Sequence, residues 1–80
     1  MNAIQCKMAR AALSWGTRDL ARNAGVSPDT IARLERGERL RTATVNVIRA
    51  AFEKAGLEFI PENGGGLGVR FAGPSATKVD

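Results

Sequence analysis

Histidine is absent from this 80-residue sequence, and cysteine occurs once, at Cys6. Without histidine there can be no His/Cys metal site and no Cys-His or Ser-His-Asp catalysis. A lone cysteine closes no internal disulfide, so a disulfide framework is excluded and a reducing cytoplasm is the expected location. No stretch approaches the roughly 18 apolar residues that span a bilayer. Lys7 and Arg10 interrupt the apolar run that an N-terminal signal peptide needs, so no membrane partner is expected. Aromatic residues are few. Trp15, Phe52, Phe59 and Phe71 all fall at apolar-face positions, which leaves no stacking surface for single-stranded RNA. Eighty residues make one small domain that buries only about 60% of its unfolded surface. The acidic residues show no metal-like spacing. The chain is therefore expected not to be an enzyme and to need no cofactor or metal.

What the sequence does have is positive charge, unevenly placed. The net charge is +4. Residues 1–41 hold eight basic and four acidic side chains, and residues 42–80 hold four of each, so the first half carries the whole excess. Nine of the twelve basic residues are arginine. The planar guanidinium fork matches phosphate oxygens and guanine edges better than a lysine ammonium does. A merely solvated surface would have the same composition, so position has to decide between the two.

Hydrophobic spacing organises the chain. A first helix is expected over about 3–14, with Ile4, Met8, Ala11, Ala12 and Trp15 on its apolar face and Gly16 ending it. Trp15 and Cys6 read as core packing, the latter rather than a redox role because no second thiol resolves it. A second helix fits 17–24, capped by Thr17, with Asp19 in its first turn, Leu20, Ala21 and Ala24 inward and Gly25 stopping it. Ser27-Pro28-Asp29 is the clearest helix start in the chain: an N-cap, a proline at the first helical position and an acid in the first turn. That third helix runs to about Arg36 and closes at Gly37. After a loop over 39–42, a fourth helix carries Val45, Ile48, Phe52 and Ala55 on one face and ends at Gly56.

The period then changes to two. Leu57 and Phe59, then Leu67, Val69 and Phe71, alternate with other residues across a glycine-rich turn, which reads as a β-hairpin with Glu58 and Arg70 on its outer face. Gly64-Gly65-Gly66 is a turn rather than a phosphate loop, because no Gly-Lys-Ser/Thr opening a helix follows it. Residues 72–80 lack periodicity and are expected to be a disordered tail.

The third helix carries the functional signal. Ile31 and Leu34 point one way with Glu35 beside them, while Asp29, Arg33 and Arg36 share the opposite face. A short helix with a greasy inner side and an arginine-bearing outer side, preceded by a helix and a tight turn, has helix-turn-helix spacing. The stretch 17–37, TRDLARNAGVSPDTIARLERG, resembles the helix-turn-helix of the phage-repressor/Cro-like (XRE) family. Leu20-Ala21, Gly25-Val26-Ser27, Ile31, Leu34 and Glu35-x-Gly37 stand where that family has its second helix, turn and third helix, and the likeness extends over about 3–56. The sequence departs from the family pattern at Thr17, where glutamine is common, and after Gly56, where strands replace a fifth helix.

The resemblance implies a mainly α fold, a four-helix, lambda-repressor-like helix-turn-helix domain (1–56), to which the change of period adds a short C-terminal β-hairpin (57–71). It further implies a cross-helix ion pair between Arg10 and Glu35. With the helix geometry, it implies that Asp29, Thr30 and Arg33 contact DNA bases, although Asp29 and Arg33 could instead pair with each other at i, i+4. Thr17, Arg18, Ser27, Arg36, Arg39 and Arg41 are expected at phosphates. The function implied is a sequence-specific regulator of transcription, a repressor by occupancy, that binds double-stranded DNA as a homodimer on a palindromic operator. Leu57, Phe59, Leu67, Val69 and Phe71 are the expected dimer contact. The alternative is an antitoxin or other interaction module that covers an unidentified second protein.

Overall fold

The computed structural model describes residues 1–62 and 64–72. It is mainly helical, with α1 (Ala3–Leu13), α2 (Thr17–Ala24), α3 (Pro28–Glu35) and α4 (Thr42–Lys54) followed by strands β1 (Leu57–Ile60) and β2 (Gly68–Phe71). The expected tail, 72–80, lies outside the described residues except for Ala72, whose N–H donates to the Gly56 carbonyl at 2.7 Å.

Local chemistry explains the boundaries. Asn2 caps α1 in a reciprocal box: its side chain accepts from the Gln5 N–H at 2.8 Å, and the Gln5 side chain accepts from the Asn2 N–H at 3.1 Å. α1 ends at Leu13, one residue earlier than expected, and its C-cap Ser14 takes a left-handed φ of 57° without being glycine. Gly16 rather than Thr17 is the N-cap of α2. Thr17 is already helical, and the cap is made backwards, by the Asp19 carboxylate accepting from the Gly16 N–H at 2.8 Å. At α3 the Ser27 hydroxyl accepts from the Thr30 N–H, with Pro28 at the first position. Gly37, at φ 89°, ends that helix in a left-handed conformation a side chain would resist.

The core is formed by Cys6 and Ala9 of α1, Leu20 and Ala21 of α2, Ile31 and Leu34 of α3, Ile48 and Phe52 of α4, and Leu57 of β1. The buried side of α1 is not the expected one. Gln5, Cys6 and Ala9 turn inward, Ala11 and Ala12 are exposed, and Ile4 is 55% exposed. α1 is rich in alanine, so several rotations bury nearly equal apolar area, and tertiary partners choose among them. On α4, Ile48 and Phe52 are buried as the spacing predicts, while Ala55 is exposed. Trp15 stacks on Phe52 at 5.8 Å between ring centroids, and Phe59 meets Phe52 edge-on at 5.9 Å.

The hairpin is antiparallel, with Leu57 opposite Phe71, Glu58 opposite Arg70, Phe59 opposite Val69 and Ile60 opposite Gly68. The outer pair Glu58–Arg70 closes at 2.9 Å. Leu67 falls before β2 rather than within it. A two-stranded hairpin is marginal alone, and here it is packed against α1 and α4. Gln5, 6% exposed, ties it down: its amide donates to the carbonyls of Ile60 at 3.2 Å and Gly68 at 3.0 Å, the last pair of the ladder.

Candidate functional site

The α2–turn–α3 unit places the residues of interest. Gly25 at φ 73° reverses the chain, and Val26 N–H donates to the Ala21 carbonyl at 3.0 Å, so α3 leaves α2 at a fixed angle. Only Ile31 and Leu34 of α3 are buried. Pro28 and Asp29 are exposed, and Thr30 and Arg33 are partly exposed on the outer side.

α3 is anchored from behind by a charged cluster. Arg10 of α1 donates through Nε to Glu35 Oε2 and through Nη2 to Glu35 Oε1, both at 2.8 Å, and through Nη1 to the Trp15 carbonyl at 3.1 Å. The Cys6 thiol adds a third donor to Glu35 at 3.1 Å. The two side chains retain 22% and 9% exposure, so the pair is largely desolvated. Burial drives the Glu35 carboxyl upward, but the hydrogen bonds from Arg10 and Cys6, with the Arg10 charge, outweigh it and hold the carboxyl below its usual range. Burial, then the hydrogen bond to Glu35 and its negative charge, push the Cys6 thiol far up, so it stays protonated and is a poor nucleophile.

On the outer side, Thr30, Arg33, Arg39, Leu40, Arg41 and Thr44 line a shallow concavity of about 410 Å³. Three arginines from α3 and the following loop thus converge with two threonine hydroxyls. Thr44 lies in the first turn of α4, whose N-cap Arg41 makes no side-chain cap bond, so the positive end of that helix dipole adds to the arginines. Arg18, Arg39 and Arg41 make no ion pair among the described residues.

Other expected site residues are engaged within the chain. Ser27 and Thr30 share a hydroxyl–hydroxyl hydrogen bond of 2.9 Å. Asp29 does not pair with Arg33. Glu38 takes that place: its Oε1 accepts from Arg33 Nε at 3.1 Å, and its Oε2 accepts from Arg36 Nε at 3.0 Å and Arg36 Nη2 at 2.8 Å. Those bonds, Arg36 first, hold the Glu38 carboxyl below its ordinary range. Thr17 and Arg18, on α2, do not line the concavity. Glu38, Leu40 and Thr44 were not singled out by sequence reasoning. For Glu38 the available signal was an acid two residues past Arg36, across the Gly37 turn.

The five hairpin residues divide. Leu57 is 2% exposed and belongs to the core, and Phe59 and Val69 pack against that core. Leu67 and Phe71 remain on the surface, Phe71 at 56%. Among the described residues, no group of three His, Cys, Asp or Glu is placed to hold a metal ion, and no helix is long and apolar enough to cross a membrane. No protein-family model matches the chain, and no curated protein matches it.

Proposed function

We propose that the protein is a sequence-specific, double-stranded-DNA-binding regulator of the phage-repressor/Cro-like (XRE) type, without catalytic activity, that acts in the cytoplasm as a repressor by occupying its operator. The carrying observation is a rigidly capped α3 whose inner side is spent on the core while Thr30 and Arg33 open onto a concavity lined by Arg39 and Arg41. In this reading α3 enters the major groove. The free Nη1 and Nη2 of Arg33 fork onto guanine O6 and N7, a contact worth about 1–3 kcal/mol of discrimination. Asp29 accepts from a cytosine amino group and Thr30 touches a neighbouring base. Thr17, Arg18, Ser27, Arg39 and Arg41 meet phosphates, each basic contact adding nearly one unit to the salt slope, while Arg36 is held by Glu38.

One eight-residue helix reads few base pairs, so the reading includes a two-fold dimer on half-sites about 34 Å apart. Leu67, Phe71 and the open hairpin edges are the surface available for that contact. Selection of bound duplexes from a random pool tests the proposal. Enrichment of a palindrome, relaxed at one symmetric position by Arg33→Ala, is the expected result. No enrichment at low salt refutes it. Light scattering at micromolar concentration tests the dimer, and a monomer that binds the selected palindrome tightly removes that part.

A further inference from the structure

We propose that Glu38 is a positioning residue for sequence discrimination: it holds Arg33 by its Nε so that the other two nitrogens face outward, and it withholds Arg36 from phosphate. This rests on the DNA-binding reading above. The placement of Glu38 is set by the backbone. Gly37 N–H donates to the Leu34 carbonyl and Glu38 N–H to the Arg33 carbonyl, each at 3.0 Å, around the left-handed Gly37. That is the Schellman arrangement, which brings the second residue past the helix cap back over the helix's own third-last residue. The contact usually made there is apolar. Here it is Glu38 on Arg33, at 3.1 Å.

The two arginines are held differently. Arg33 gives Glu38 only its Nε, so the Nη1/Nη2 end, the one that pairs with a guanine edge, stays free. Arg36 gives both Nε and Nη2, leaving a single nitrogen. One carboxylate therefore fixes the reader in a single orientation and masks its neighbour. Since Arg33 needs no further immobilisation on binding, the ordering cost of a rotamer-rich side chain is met in the free protein. The negative charge beside the concavity also opposes indiscriminate attraction of phosphate.

The test uses the full chain and the duplex it selects, alongside a duplex changed at the position that Arg33→Ala relaxes, over a range of salt. In Glu38→Ala the affinity ratio between the two duplexes is expected to fall about two- to tenfold, the loss of one pre-ordered side chain. The salt slope on random DNA is expected to rise by nearly one unit as Arg36 is released. Glu38→Gln keeps an acceptor for Arg33 Nε without the charge, so it should retain more of the ratio than Glu38→Ala while showing the raised slope. Circular dichroism is expected to show all variants folded, since the turn is held by backbone bonds. An unchanged ratio in Glu38→Ala overturns the proposal, as do Ala and Gln variants that lose the ratio equally. A wild-type chain that selects no sequence overturns the parent reading instead, and the role of Glu38 with it.

Discussion

Replacing Gln5 by leucine should release the hairpin from the helices. Leucine matches glutamine in bulk and suits a helix, so the change removes polar bonds and little else. Three bonds go: the two from Nε2 to the carbonyls of Ile60 and Gly68, and the one Oε1 accepts from Asn2 N–H. At about 0.5–1.5 kcal/mol each, the three together come to about 2–4 kcal/mol, partly offset by burial of the new methyl groups. For a chain of this length that corresponds to a Tm lower by on the order of 10–20 °C. Thermal melts followed by Trp15 fluorescence read the global effect. Hydrogen exchange of the 57–60 and 68–71 amides reads local detachment. Gln5→Glu sharpens the test: at neutral pH its carboxylate faces two carbonyls and should destabilise at least as much, and acid should partly restore it by returning one donor. Loss of less than about 0.5 kcal/mol in Gln5→Leu, with unchanged amide protection, would refute the reasoning.

Truncating Arg10 to alanine leaves Glu35 desolvated without its partner and should cost about 2–4 kcal/mol, measured by urea denaturation. Glu35 titrates below its ordinary 4.5 in the fold, so its contribution is present above that value and is lost as pH falls through the lower folded value; Glu35→Gln should flatten the acid limb of a stability–pH curve. Cys6 is shifted the other way, so stability is intact below its ordinary 9.0 and should fall above it, by up to about 1.4 kcal/mol per pH unit, whereas Cys6→Ala, less stable throughout, lacks that slope. Ser14→Gly should raise Tm by a few degrees, because it relieves a left-handed conformation costing about 1–2 kcal/mol at the expense of extra freedom in the unfolded chain. Arg39→Ala should weaken binding to all duplexes alike and lower the salt slope by nearly one unit, read by titration at several salt concentrations.

Features written in consecutive residues were legible in the sequence. Ser27-Pro28 and the glycines at 25, 37 and 56 mark helix ends by backbone chemistry alone, and the change of period after Gly56 marks the hairpin. The inward face of α1 was not legible, because its weakly apolar residues spread around the helix and a buried glutamine counts as polar until its acceptors, 55 and 63 residues away, are known. The bounds of α2 were legible, but its cap was misread for a nearer reason: Gly16, with no side chain, is the N-cap, and Asp19 three residues on accepts from its N–H. In the candidate site, the outward residues of α3 followed from its spacing. The convergence of Arg39, Arg41 and Thr44 with Arg33, and the partnership of Arg33 with Glu38, depend on how the loop after Gly37 folds back.

α3 commits Ile31, Leu34 and the ion-paired Glu35 of its eight residues to the interior. Its start is fixed by Ser27 and Pro28 and its end by Gly37, all outside the exposed positions between them. The exposed positions can therefore change by single mutations without disturbing packing or caps, so descendants of this chain can acquire new ligand preferences while the fold stays constant. The same separation means that related chains would differ most at these exposed positions, and the scaffold would be the slower part to diverge.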